Sequence, residues 1–235
     1  MNDRVAIYAG TRNLYPQMYT ALKSLLINNS MDRVFLLIED DEFPYPLPKY
    51  VFPVNVSEQE IFKKDSPNFK NKWSYMTLMR CVLSTIFEKE KRVLWLDCDT
   101  IVDDDITDLF EMNINGYYYA GVMEPGKSLG VFRYINAGVL LCNCELLRDT
   151  GKEFELTYFL NTVKLEYLDQ DIINILCQGR IRLIDSTYNS NNYVMPCFQP
   201  KIIHYAAIKD YTNEWAYKKY EKMDMPMEDK DEQHN

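Results

Sequence analysis

Residues 91–106 read KRVLWLDCDTIVDDDI. Four apolar residues, Val93 to Leu96, run into two aspartates spaced one residue apart, Asp97 and Asp99. A short continuous apolar run of this kind reads as a strand buried on both faces of a parallel sheet. Side chains alternate along a strand, so residues two apart project to the same side, and a pleat continued through Asp97 and Asp99 brings both carboxylates to one spot. Two like charges that close are unfavourable unless a cation lies between them, and a hard divalent ion such as Mn²⁺ or Mg²⁺ suits an oxygen donor set. Asp103, Asp104 and Asp105 need no such role, because they precede a helical pattern whose free N–H groups and positive dipole end favour aspartate.

The elements around this strand point to an α/β fold. Residues 4–10 (RVAIYAG) form a short apolar run ended by Gly10, followed by Pro16 and an amphipathic stretch with Met18, Leu22, Leu25 and Leu26 at helical spacing. Residues 33–40 (RVFLLIED) form a second buried strand, which completes a βαβ unit. Four prolines between 43 and 53 mark a connection with an edge strand near 51–56. The spacing of Trp73, Met76, Thr77, Arg80, Leu83 and Phe87 predicts a helix over about 72–88. Beyond the aspartates we read a short helix (105–112), strands at 117–123 and 135–143, helices at 144–164 and 168–178, a strand at 181–184 and a last short strand ending at His204. The sheet is expected to be mostly parallel, flanked by helices, in one domain over residues 1–222. The segment 223–235, MDMPMEDKDEQHN, is acidic and polar and is expected to be disordered.

Composition narrows the partners. The 235 residues carry a formal net charge of −9, so a broad phosphate-tracking surface is not available and nucleic acid is excluded as a partner. The six cysteines, Cys81, Cys98, Cys142, Cys144, Cys177 and Cys197, fall mostly in apolar runs without CxxC pairs and read as reduced, buried thiols. No segment approaches roughly 18 uncharged apolar residues, and a soluble, cytoplasmic protein is expected.

Three other readings compete for the aspartate pair. A calcium EF-hand loop fails, because Ile101 and Val102 stand where it needs Asp or Asn and then Gly. A phosphatase of the haloacid dehalogenase type also begins with a strand ending in DxD, but near the start of its chain and with Thr or Val where Ile101 stands. The third is a solvated acidic turn with no chemistry. A DxD alone does not separate these.

Further blocks do. VLWLDCDTIV, YINAGVLLCN, YLDQDIIN and IIHYAAIK occur in that order, and with the first strand they span residues 5–209. In this the sequence resembles family 8 glycosyltransferases, the retaining family that includes glycogenin and bacterial lipopolysaccharide galactosyltransferases. The resemblance implies a GT-A-like fold and transfer of a hexose, glucose or galactose, from a UDP-sugar donor to a glycan or other hydroxyl acceptor. It also implies that Asp97, Asp99 and His204 bind Mn²⁺ bridging the UDP diphosphate. His204 is one of two histidines in the chain, and imidazole is a fitting borderline ligand for Mn²⁺ beside oxygens.

The same resemblance places Gln170 at the β-face of the anomeric carbon and Asp169 on the sugar hydroxyls, as the residues of the catalytic centre. Asn136, Ala137 and Gly138 would contact donor and acceptor sugars. Ala9, Thr11 and Asn13 would line the uracil and ribose pocket, with Cys98 between the metal-binding aspartates and Lys209 within reach of a phosphate. Each also has a plain structural reading: helix capping for Asp169, a bulged strand entry for 136–138, a βα turn for 9–13 and a surface lysine for Lys209.

The sequence departs from the family pattern at several points. Thr11 stands where many members have Asp, and Thr77 where many have Arg, with Arg80 one turn later as the residue to replace it. The HYxG…KPW ending becomes HYAAIKDY, with Ala207 for Gly and Tyr211 for Trp. These departures motivate an alternative, a non-catalytic protein that binds nucleotide sugar. Finally, NEWAYKKYEK (213–222) mixes Trp215, Tyr217 and Tyr220 with three lysines. Some relatives touch membranes through such endings, but a helix packing its aromatics on the domain is the favoured reading, so peripheral membrane contact is not favoured.

Overall fold

The computed structural model describes residues 3–228. In chain order the elements are β1 (Val5–Ala9), α1 (Tyr15–Asn28), β2 (Arg33–Ile38), β3 (Val51–Asn55), a 3₁₀ turn (Tyr75–Cys81), α2 (Leu83–Ile86), β4 (Val93–Leu96) and β5 (Thr100–Val102). They continue with α3 (Thr107–Glu111), β6 (Tyr119–Val122), β7 (Val139–Cys142), α4 (Cys144–Thr150), α5 (Lys152–Thr162), α6 (Leu168–Leu176), β8 (Ile181–Ile184), β9 (Ile202–His204) and α7 (Trp215–Glu221). Seven strands form one sheet in the order β3-β2-β1-β4-β7-β6-β8. All neighbours in it are parallel except across β7, which runs against β4 and β6. The expected mostly parallel sheet flanked by helices is therefore the fold observed.

Alternation along the buried strands divides the core in two. Val93 and Trp95 pack on one face with Leu140, Leu156, Ile172 and Ile173 from the later strands and helices. Leu94 and Leu96 pack on the other with Met18, Leu22 and Leu25 of α1. Fully apolar β1 and β4 are the outcome of covering both faces. The C-terminal ends of β1 and β4 lie side by side, where ligands of open α/β sheets bind.

Two predicted helices come out differently. Residues 72–88 do not form one α-helix but a 3₁₀ turn and the single-turn α2. Ser74 enters with a positive φ of 108°, and Thr77 Oγ1 donates to Ser74 O at 3.1 Å. The chain rewinds at Val82, so Arg80 turns into the core rather than along a helix face. Tertiary demand outweighs an apolar spacing that would suit a helix. Likewise 144–164 splits into α4 and α5 at Gly151, whose φ of 64° ends one helix and starts the next.

The free N–H groups of α2 are capped from a distance. Glu153 accepts from Ser84 N at 2.7 Å and from Thr85 N at 2.9 Å, and from Thr85 Oγ1 at 2.8 Å. Glu153→Ala should cost about 1–3 kcal/mol, because these buried donors lose their acceptor. Burial raises the Glu153 carboxyl pKa, although its hydrogen bonds from Ser84 and Thr85 oppose it. The folded state thus holds this proton more tightly than the unfolded chain does. The raised pKa contributes stability that is full below the unfolded value and is lost as pH rises through the folded one. Urea denaturation across the acid range should show that slope in wild type and a flatter one in Glu153→Gln; equal slopes would contradict it.

At the C-terminal end Ala216, Tyr217 and Tyr220 of α7 are buried against Ile101 and Tyr205, and Lys219 pairs with Asp103 at 2.6 Å. Trp215 alone of its aromatics stands out, at 62% exposure. Lys23 Nζ donates to Met223 O at 2.9 Å, and Met225 packs on the α1 side of the core. Residues 229–235 of the acidic tail lie outside the described residues. Five cysteines are buried and Cys197 is partly so, all as free thiols. Among the described residues no helix is long and apolar enough to cross a membrane.

Candidate active site and metal centre

Asp97 and Asp99 do converge, but not by strand alternation. β4 ends at Leu96, and Thr100 bonds back to Asp97 O through its N–H at 3.1 Å and its hydroxyl at 2.7 Å. This tight turn, rather than the pleat, brings the carboxylates together. β5 then pairs antiparallel with β9, with Thr100 opposite His204. The short second sheet thereby delivers the imidazole to the aspartates.

His204 Nε2 lies 3.3 Å from Asp99 Oδ1 and 4.0 Å from Asp97 Oδ2. One ligand atom from each of the three residues falls within 4.8 Å of the others, and among the described residues this is the one such group. Two carboxylate oxygens and one imidazole nitrogen fit a divalent ion of the Mn²⁺ or Mg²⁺ kind. Asp97 divides its oxygens: Oδ1 accepts from Trp95 Nε1 at 2.8 Å and Arg80 at 2.9 Å, which leaves Oδ2 toward His204.

The electrostatics follow from burial. Desolvation pushes the Asp97 carboxyl up, and Arg80 only partly opposes it. Burial acts on Asp99 in the same direction, but His204 outweighs it and the Asp99 pKa falls. Burial alone would lower His204, yet Asp99 and Asp97 raise it. Each of the three groups thus takes its protonation preference from the other two.

Gly138 makes the approach possible. A Cβ built there would sit 2.1 Å from His204 Cε1, so the imidazole packs directly on glycine backbone. Its neighbours Asn136 and Ala137 lie in the irregular entry to β7, and Ala137 N donates to Gln170 Oε1 at 2.9 Å. Gln170 and Asn136 line a cavity of about 200 Å³ together with Asp97, Asp99 and His204. Asp169 does not line it. That carboxylate is sealed behind Arg80 at 2.9 Å, and burial pushes its pKa up to about 6 against the pull of Arg80.

The remaining sequence candidates sit outside this cavity. Ala9 O accepts from Cys98 Sγ at 3.1 Å, so the thiol points into the β1 side of the core and away from the aspartates. Thr11 Oγ1 donates to Asn13 Oδ1 at 2.6 Å in the turn after β1. Lys209 is exposed. Arg80 is 3% exposed and does not line the cavity; it joins Asp97, Asp169 and the carbonyl of Ala137. Ala207 lines the cavity at φ 61°, a conformation glycine adopts freely and alanine at a cost of roughly 1–2 kcal/mol.

Sequence reasoning missed several cavity residues. Glu124 is 3% exposed and accepts from Asn136 at 2.6 Å and Gln170 at 3.3 Å. Lys127 pairs with Glu124 at 3.3 Å and lies over the Tyr167 ring. Trp73 and Tyr193 complete the walls. Tyr167 begins the YLDQD block, which was the available signal; Glu124 offered only its place before Pro125–Gly126.

A mostly parallel α/β domain with a carboxylate–carboxylate–imidazole group at the strand ends defines a class, the GT-A-like glycosyltransferases. The model of glycosyl transferase family 8 matches residues 6–215, and the chain belongs to that family. It is 31% identical over 211 residues to glycosyltransferase GlyE of Streptococcus pneumoniae, covering 79% of this chain and 47% of that protein. It is 30% identical over 145 residues to the lipopolysaccharide 1,3-galactosyltransferase of Salmonella typhimurium, covering 54% and 43%. The chain thus spans less than half the length of these relatives. The crystal structure of GlyE superposes with a TM-score of 0.74 at 23% identity, over 96% of this chain and 62% of that one. The galactosyltransferase LgtC, solved with donor and acceptor sugar analogues, gives 0.67 at 20%, over 92% and 95%.

Proposed function

We propose that this domain transfers a hexose from a UDP-sugar to a glycan or other hydroxyl acceptor, with Mn²⁺ or Mg²⁺ held by Asp97, Asp99 and His204. The observation that carries the reading is the placement of these three ligands on one wall of the cavity that Gln170 and Asn136 also line. When bound, the ion supplies Lewis-acid stabilisation of the departing diphosphate. Arg80 keeps Asp97 oriented from behind, and the Gly138 backbone lets His204 close on the site.

Gln170 is held by Ala137 N and Glu124, so its amide is fixed against the space where positive charge grows on the sugar. Glu124 is the one other carboxylate in the cavity, and its contacts with Asn136, Gln170 and Lys127 make it a poor nucleophile. Retention by same-face attack of the acceptor is therefore preferred over a covalent sugar–enzyme. Ala9, Thr11, Asn13 and Lys209 remain the residues proposed for the nucleotide, and Asp169 acts from behind Arg80.

Calorimetric titration with UDP tests the metal. Affinity should be at least about tenfold greater with Mn²⁺ than with chelator, since an acidic pocket repels bare diphosphate. Equal affinities would remove the metal assignment. Slow UDP release from UDP-glucose or UDP-galactose without acceptor separates an enzyme from a nucleotide-sugar-binding protein, which should show none.

A further inference from the structure

Three buried side chains, Glu124, Asn136 and Asn189, form with His204 one hydrogen-bonded series. Glu124 Oε1 accepts from Asn136 Nδ2 at 2.6 Å, Asn136 Oδ1 accepts from Asn189 Nδ2 at 2.9 Å, and Asn189 Oδ1 lies 2.8 Å from His204 Nδ1. Exposure of the four is 3%, 5%, 0% and 5%. Water therefore has little access to them, and each polar atom depends on the next.

The direction of the series is fixed by groups that cannot reverse. An ionised carboxylate only accepts, and a backbone N–H only donates. Glu124, paired with Lys127 at 3.3 Å, is the first; the N–H of Gly138, 3.0 Å from Asn136 Oδ1, is the second. Together they admit one orientation of the Asn136 amide, nitrogen toward Glu124 and oxygen toward Asn189. Asn189 must then donate with its nitrogen and turn its oxygen to the imidazole. Asn191 Nδ2, which donates to that same oxygen at 2.9 Å, agrees. An amide oxygen cannot donate, so the hydrogen between Asn189 and His204 resides on Nδ1. The other ring nitrogen, Nε2, faces Asp99 and Asp97.

We propose that Asn189 is a positioning residue for His204: it holds the imidazole with Nδ1 protonated and Nε2 directed to the cation, and it takes its own orientation through Asn136 from Glu124 and the Gly138 N–H. The proposal rests on the metal reading above. Its physical content is that a histidine ligand needs its lone pair on the metal side, and the hydrogen bond made by the other nitrogen selects that tautomer. Neutral imidazole side chains otherwise favour the hydrogen on Nε2, which would present N–H rather than a lone pair to the ion.

The test uses the full chain with His234→Gln, which leaves His204 as the only imidazole. Long-range ¹H–¹⁵N spectra of the ring, recorded without metal and with diamagnetic Mg²⁺, should both show Nδ1 as a pyrrole-type nitrogen. A pyridine-type Nδ1 would overturn the proposal. Asn189→Leu should convert Nδ1 to pyridine-type and weaken Mn²⁺ binding, measured by calorimetry, by roughly 10- to 100-fold. Asn189→Asp, which keeps an acceptor beside Nδ1, should retain the wild-type signal. An unchanged ring and unchanged affinity in Asn189→Leu would also overturn it, and if that variant does not fold, the wild-type and Asn189→Asp spectra decide. None of these measurements needs UDP or an acceptor, so absence of sugar transfer would sink the functional reading and leave the tautomer result standing, and the reverse.

Discussion

Gly138→Ala is expected to abolish metal-dependent UDP binding and to lower turnover by more than about 10³, the scale of losing several kcal/mol of transition-state stabilisation. The added methyl would lie 2.1 Å from His204 Cε1, 2.6 Å from Nδ1 and 2.8 Å from Nε2, where no side chain can stay. Either the imidazole leaves its place opposite Thr100 or β7 retreats from β4, and Asp97 N donates to Gly138 O at 2.9 Å across that same junction. Both outcomes disturb the ligand group. The stability cost should be about 1–3 kcal/mol, as for other overpacked cores. In the double variant Gly138→Ala/His204→Ala the clash partner is gone, so most of the stability should return while metal binding does not. A cycle of urea denaturation and calorimetry on the four proteins measures both couplings. Additive stability effects, or a Gly138→Ala protein that binds Mn²⁺ and UDP as wild type does, would show that the imidazole does not rest on this glycine in solution.

That dependence explains why some of the site could be read from the sequence and some could not. The apolar runs of β1, β2 and β4 announce strands covered on both faces, because burial on two sides removes the polar half of the alternation. The two aspartates after β4 were legible as a pair. Their convergence through the Thr100 turn was not, since a strand and a tight turn make the same prediction for residues two apart. His204 was legible as one of two histidines, standing at the end of an apolar run.

Glu124 and Asn189 carry no comparable mark. Each lies in an irregular segment, where polar residues are expected on solvent grounds, and only the folded chain shows both to be buried. The 72–88 segment failed for a related reason. Apolar spacing records which side chains are covered and does not record that Arg80 among them must reach two carboxylates, which a regular helix there would not allow. Gly138 appeared in the sequence as one of three small or amide residues at a strand entry. The reason for glycine at that position is a contact with His204, far along the chain.

Arg80→Leu is expected to destabilise the protein by about 3–5 kcal/mol at neutral pH, the cost of removing one partner from a buried ionic group. Arg80 is 3% exposed, bonds Asp97 and Asp169 at 2.9 Å each, also donates to Ala137 O, and stacks 4.8 Å over the Trp95 ring. Among the described residues it is the one cation bonded to both carboxylates, and leucine leaves both without it. Acid should restore part of the loss. Burial already holds the Asp169 carboxyl at about 6 with Arg80 opposing that rise, so without Arg80 its pKa must climb further. A carboxyl with a raised folded-state pKa contributes most to stability below its unfolded value of about 4 and loses that contribution as pH rises through the folded value. The variant should therefore gain stability relative to wild type as pH falls from about 8 to 5, whereas wild type, with its lower Asp169 pKa, gains less over that interval. Arg80→Lys keeps the charge but not the fork that reaches two carboxylates and a carbonyl, and should recover less than half of the loss. Parallel urea titrations at several pH values read the difference directly. A pH-independent gap between Arg80→Leu and wild type would mean that the loss comes from packing alone, and the assignment of Arg80 as the counter-charge that lets Asp97 and Asp169 share the core would fall.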